Sequence, residues 1–325
     1  MPTQLPPLPG DRVVVRFTLN DQTASISDRR RDPSATLSDI TGLVIAVTDE
    51  TVTVQRGDHT VDVPVEFIVS VRTLSAQTIR NSDIRSVELA AARGWPGAEH
   101  EICDGWMLRA SAGFSVRGSS AIPVEADARL DDSTVSAIRA WYAERDLPPW
   151  IIEVERLLPS ISAPVCEMLT APIDELSTDG DHPNVSIASA PDDRWIAAQL
   201  RARHGECTAD AARAEVEPVV GTVCFASLRT AQPASGAPAG DSIARGTITA
   251  DAQGRPWFGI TSLWTDEQAR GTGAGRAIVS ALIDWARTQG AQFSYIQLDG
   301  NKTAQRDWYR GLGYGLHHRF GYRLL

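Results

Sequence analysis

The strongest chemical signal in the chain is the stretch Gln268-Ala269-Arg270-Gly271-Thr272-Gly273-Ala274-Gly275-Arg276. Glycines at this spacing let main-chain N–H groups approach a phosphate closely, and a helix N-terminus behind them adds partial positive charge. Three phosphate-binding patterns compete for the stretch. The P-loop pattern, Gly-x-x-x-x-Gly-Lys-Ser/Thr, lacks its lysine here. The dinucleotide pattern, Gly-x-Gly-x-x-Gly, fails at its last glycine, where Arg276 stands. The pattern Arg/Gln-x-x-Gly-x-Gly/Ala is met in full by Arg270 to Gly275.

The elements around this turn must place it. Residues 257–264 form an apolar, strand-like run before it. Residues 277–288 read as an amphipathic helix after it, with Ile278, Ala281, Leu282 and Trp285 on one face. Upstream, residues 185–189 read as a strand. Asp192 or Asp193 can cap a helix carrying Trp195, Ile196 and Leu200, and residues 209–219 suggest another. Residues 223–229 and 242–250 read as a hairpin joined by a loop rich in Pro, Gly and Ala. Downstream come a strand at 293–298, a helix at 302–311 and a closing strand at 316–325.

Residues 78–178 read as helix, strands, helix, strand, with helical faces at Ile84, Val87, Ala90 and at Val135, Ile138, Trp141. Strands are expected at 104–110, 114–124, 150–154 and 166–170. The polar stretch 176–184 is a natural linker. Residues 10–74 alternate apolar and polar in five short runs, which suggests a small all-β barrel resembling an SH3-like module. One of its loops, Asp28-Arg29-Arg30-Arg31-Asp32, is basic. The flanking aspartates and a charge of −3 over residues 1–75, from seven Arg against ten acidic residues, favour a solvated loop.

The net charge of −10 argues against a general nucleic-acid binder. No apolar run approaches the roughly 20 residues that span a bilayer. The N-terminus has neither the basic nor the apolar region of a signal peptide, so a cytoplasmic location is expected. Cys103, Cys166, Cys207 and Cys224 are too widely spaced for a zinc site, and no metal is expected.

The turn and the segment downstream of it resemble the GNAT superfamily of acyl-CoA N-acyltransferases. Arg270 to Gly275 resembles that family's pyrophosphate loop. One helix and one strand later, Tyr309-Arg310-Gly311-Leu312-Gly313-Tyr314 looks like its Tyr-x-x-Leu-Gly-Phe ending. The resemblance implies a GNAT fold, α/β with a central mixed sheet, over residues 185–325. Residues 78–178 resemble the N-terminal halves of tandem actinobacterial GNAT proteins, through Asp104-Gly-Trp-Met-Leu-Arg109 and Arg117-Gly-Ser-Ser-Ala. They imply a degenerate copy that packs on the catalytic domain and shapes the acceptor pocket. Residues 1–75 complete the chain as the SH3-like barrel, a possible docking module for a protein partner.

The same resemblance implies acetyl-CoA as co-substrate. Arg270, Gly271, Thr272, Gly273, Ala274, Gly275 and Arg276 would hold its pyrophosphate, and the main chain of Leu263, Trp264 and Thr265 would pair with pantetheine as an added strand. A main-chain N–H of that strand would hold the oxyanion. Tyr309 matches the family's tyrosine acid. Asn301 is a further binding candidate; it stands eight residues before Tyr309, where the family has asparagine seven before, a position held here by Lys302.

Acyl transfer to an amine imposes its own demands. An alkylammonium of pKa about 10.4 costs about 4.6 kcal/mol to deprotonate at pH 7. Asp266, Glu267, Asp299, Glu125 and Asp127 are candidate bases. His317 and His318 read as packing residues. A tyrosine of pKa about 10 keeps its proton at pH 7 and can donate to a leaving thiol of pKa about 8.5. The function expected is N-acetyl transfer to a primary amine. The alternatives are a non-catalytic acyl-CoA-binding regulator whose barrel docks a partner, and a nucleic-acid-associated acetylase.

Overall fold

In the computed structural model the structure describes residues 7, 9–23, 26, 35–57, 59–74, 79–111, 115–158, 166–178, 182, 184–203, 207–229 and 240–325. The basic run 28–32 and most of the loop 231–241 lie outside them. The chain divides into two compact units, 1–79 and 80–325.

In the first unit, alternating apolar residues make β1 (Arg12–Thr18), β2 (Leu37–Val47), β3 (Thr51–Arg56), β4 (His59–Pro64) and β5 (Ile68–Leu74). Val13, Val15, Phe17, Val52, Val54 and Val63 point into one core. The strand order is β4-β3-β2-β1-β5, so β4 and β5 are the two edges. The sheet is open, where the sequence suggested a small SH3-like barrel.

The second unit opens with α1 (Asn81–Gly94), β6 (Glu99–Cys103), β7 (Trp106–Ala110), β8 (Ser120–Pro123), α2 (Asp132–Ala143), β9 (Trp150–Val154) and β10 (Cys166–Pro172). It continues with β11 (Ser186–Ala188), α3 (Asp193–Ala202), α4 (Ala209–Val216), β12 (Thr222–Arg229), β13 (Asp241–Ala250) and β14 (Pro256–Thr265). It closes with α5 (Ala274–Thr288), β15 (Phe293–Asp299), α6 (Thr303–Gly311) and β16 (Gly315–Leu324). Local chemistry sets the helix starts. Asp131, Asp192 and Thr208 each accept a main-chain N–H of the first turn of α2, α3 and α4.

Eleven strands form one mixed sheet, β11-β12-β13-β14-β15-β10-β16-β9-β8-β7-β6. Strand β10, from the middle of the chain, lies antiparallel between β15 and β16. The segments 78–178 and 185–325 therefore share one sheet, and the expected boundary falls inside the second unit.

Side-chain alternation gives the sheet two covered faces. Cys224, Ala226, Ala244, Phe258, Ile260, Ile296 and Leu298 pack with α5 and α6. Phe225 and Ile243 point the other way and pack with Trp95, α3 and α4. On that second face Arg245 is fully buried. Its guanidinium donates to the carbonyls of Gly94 (2.8 Å), Val216 (2.6 Å) and Pro218 (2.8 Å), at the ends of α1 and α4. Burial pushes its pKa down to about 10, which leaves it charged at neutral pH. Arg245→Met strands three buried carbonyls at once. It should destabilise the second unit by about 3–5 kcal/mol, read as a lower urea midpoint; a loss below about 1 kcal/mol would show that the carbonyls find other donors.

Candidate active site

The site is made by a failure of pairing. Strands β14 and β15 run parallel from Trp257↔Phe293 to Ile260↔Ile296, where the ladder ends. At the point of divergence β14 shifts register against β13, and Ser262 takes a left-handed φ of 52°. A bulge there kinks the strand and turns main-chain groups away from the regular ladder. The result is a cleft of about 750 Å³ between the diverging strands.

One end of the cleft is the glycine turn. Gly271 (φ 75°) and Gly273 (φ 85°) are both left-handed, a conformation that favours glycine. Gly273 is the residue before α5, and the first turn of α5 has neither a side-chain cap nor an acidic residue. An added Cβ at either glycine would meet no protein atom within 4 Å. The space in front of the helix is thus kept clear, with the helix dipole pointing into it. The residue types and geometry fit an anionic phosphate. The Arg270 side chain donates to the Thr265 carbonyl at 3.3 Å, tying the turn to the end of β14.

The other end is Tyr309. It is 4% exposed and held edge-on by Trp308 and Tyr314, at centroid distances of 4.7 and 5.6 Å. Burial, and then the neighbouring Tyr314, raise its pKa far above the ordinary tyrosine value, so the phenol keeps its proton.

The structure gathers most of the residues singled out in the sequence. Leu263, Trp264, Thr265, Arg270, Gly271, Gly273, Ala274, Gly275, Arg276 and Tyr309 all line this cleft. Thr272 does not; its hydroxyl and N–H turn back to the Ala269 carbonyl at 2.7 and 3.4 Å. Asn301 does not either; it is exposed, and its N–H bonds Asp299 Oδ1 at 3.0 Å.

None of the five candidate bases lines the cleft. Asp266 pairs with Arg201 (3.1 Å) and accepts the Asp241 N–H (2.8 Å), stitching the turn to β13. Asp299 accepts from Asn301, and Glu267, Glu125 and Asp127 are exposed. His317 forms a chain with the buried His318 and Glu88 on α1: His318 Nε2 to Glu88 Oε1 at 2.6 Å and Nδ1 to His317 Nδ1 at 2.8 Å. Burial, and then His318, push the His317 pKa down to about 3, so its ring stays neutral. Neither histidine lines the cleft.

The sequence reading missed Gln297, Gln305 and Arg117, which also line it. Arg117 stands in the stretch that resembles tandem GNAT halves, but no local pattern shows that its loop reaches β14 and β15. Among the described residues no group of three or more His, Cys, Asp or Glu could hold a metal ion, and no helix is long and apolar enough to cross a membrane.

A glycine turn that feeds a helix beside two diverging parallel strands is the arrangement expected of an acyl-CoA transferase. The profile of the family described as "Probable histone acetyltransferase Rv0428c C-terminal" matches residues 81–323. A Mycobacterium tuberculosis protein named probable histone acetyltransferase Rv0428c is 32% identical over 321 residues, covering 96% of this chain and 94% of the relative. The chain belongs to this family of GNAT-type acetyltransferases. Among solved structures, a GCN5-related N-acetyltransferase from Kribbella flavida is similar at a TM-score of 0.49 and 18% identity, over 76% of this chain and 95% of that one. A putative GNAT acetyltransferase from Novosphingobium aromaticivorans is similar at 0.45 and 14%, over 73% and 97%.

Proposed function

We propose that the protein transfers the acetyl group of acetyl-CoA to a primary amine by direct attack, with Tyr309 as the general acid. The observation that carries this reading is one cleft with an uncapped glycine turn at one end and a buried, protonated tyrosine at the other. The pyrophosphate lies against the N–H groups of the turn. The pantetheine runs along the unpaired edge of Leu263 to Thr265, and the thioester reaches Tyr309.

The neutral amine nitrogen attacks the carbonyl carbon, and the oxyanion is held by a main-chain N–H of that edge. As the C–S bond breaks, Tyr309 donates its proton to the sulfur and is reprotonated from solvent. The proton lost by the amine passes to water. Among the described residues no cysteine lines the cleft, and burial pushes Cys166 up to about 11 and Cys224 up to about 12. These neutral thiols favour direct attack over an acyl-cysteine intermediate.

The name of the tuberculosis relative makes a protein lysine one acceptor to try. A CoA-release assay over small amines, amino acids and lysine-rich peptides tests the reading. Release with at least one amine, with the acetylated product found by mass spectrometry, is the expected result. Tight acetyl-CoA binding with no release from any acceptor would favour a regulator that only senses acyl-CoA.

A further inference from the structure

The cleft is lined from both faces of the sheet, and the second face brings a charge to it. Ile260, Leu263, Ile296 and Leu298 belong to the α5 and α6 face. Tyr295 belongs to the other: its hydroxyl closes on Gly94 at the end of α1, where an added Cβ would meet it at 2.6 Å. Arg117 lies on this second face. It bears on Tyr295 and hydrogen-bonds Tyr322, and its guanidinium carbon sits 5.8 Å from the Trp95 ring centroid. Among the described residues lining the cleft, Arg117 is the one contributed by the segment 78–178.

Arg117 is half-buried. Among the described residues no carboxylate lies within ion-pairing distance of it, whereas Arg145, Arg213 and Arg287 each have one. A nearby acid, Glu215, is engaged elsewhere: one oxygen accepts from Ser115 and from Trp95 Nε1 at 3.2 Å. Burial raises the Glu215 pKa above the ordinary carboxyl value. A half-buried guanidinium with no carboxylate partner is a site for an anion, and its planar fork matches a carboxylate.

We propose that Arg117 binds a carboxylate on the acceptor, so that the acceptor class is a small amine that also carries a carboxylate, such as an amino acid. This rests on the acetyl-transfer reading above and deepens it. The donor thioester approaches from the glycine-turn face, and the acceptor enters from the Arg117 face with its anionic end on the guanidinium and its amine towards Tyr309. A lysine-rich tail would bring further cations against Arg117 and is disfavoured on this face.

The test compares acids with their amides in the CoA-release assay: glycine with glycinamide, L-alanine with L-alaninamide, and a lysine-rich peptide beside them. The expected result is at least a 10-fold preference in kcat/KM for the acid of a pair. Arg117→Ala should raise the KM of the acid by about 10- to 100-fold and abolish the preference, with the KM for acetyl-CoA unchanged. Arg117→Lys should restore part of it. An unchanged melting temperature for both variants separates these effects from misfolding. If amides serve as well as acids, or the peptide is preferred, the proposal is overturned. It is also overturned if Arg117→Ala and Arg117→Lys raise only the KM for acetyl-CoA, which would put Arg117 on the donor side. If no amine releases CoA, the acetyl-transfer reading itself fails and takes the acceptor assignment with it; if amides or the peptide release CoA as well as the acids do, the acceptor assignment fails alone.

Discussion

Replacing Tyr309 with phenylalanine is expected to lower kcat by about 10²- to 10³-fold while the Kd for acetyl-CoA changes by less than about threefold. The aromatic ring is part of the core, in edge contact with Trp308 and Tyr314, and phenylalanine keeps both contacts. Only the hydroxyl is lost, and with it the proton for the leaving sulfur. Burial keeps that proton on Tyr309 well above neutral pH, so the acid is fully loaded at any pH the assay uses. Steady-state kinetics with calorimetry on the same preparation separates chemistry from binding. An unchanged kcat would show that the thiolate leaves unassisted and would remove Tyr309 from the mechanism.

Gly273→Val should weaken acetyl-CoA binding by at least about 10-fold, or about 1.4 kcal/mol. Two causes add. The residue stands at φ 85°, where a β-branched side chain is strained. Its Cβ would also fill the empty space in front of the first N–H groups of α5. The second cause can be isolated. Gly290 has almost the same φ, 78°, and its Cβ too would meet nothing within 4 Å, but it lies past the other end of α5 and away from the cleft. Gly290→Val should therefore lower stability and leave the Kd alone. Equal effects of the two substitutions on Kd would mean that strain, and not approach of the phosphate, explains the result.

Much of the fold was legible because its elements obey strong local rules. The alternation Val13, Val15, Phe17 placed β1, and the stripe Ile278, Leu282 with Trp285 placed α5. Asp192 caps the helix it was expected to start. Strand β6 was missed because it is almost wholly exposed and carries no apolar alternation; its pairing with β7 makes it a strand. The place of β10 was invisible for a different reason. A buried strand reads the same whichever neighbours it takes, and insertion between β15 and β16 is a long-range choice.

The site divides along the same line. The glycine turn and Tyr309 announce themselves because their roles depend on neighbours in sequence. Arg117 and the chain of Glu88, His318 and His317 depend on which surfaces meet across the sheet. The carboxylates flanking the turn looked like bases in sequence, yet Asp266 is taken up by Arg201 and Asp241.

Calorimetric titration of acetyl-CoA into the full-length protein tests the central claim most directly. The cleft predicts one binding site per chain, with a Kd on the order of micromolar and full competition by CoA. A titration that shows no binding, or binding that Gly273→Val leaves untouched, would contradict the assignment of the cleft between β14 and β15.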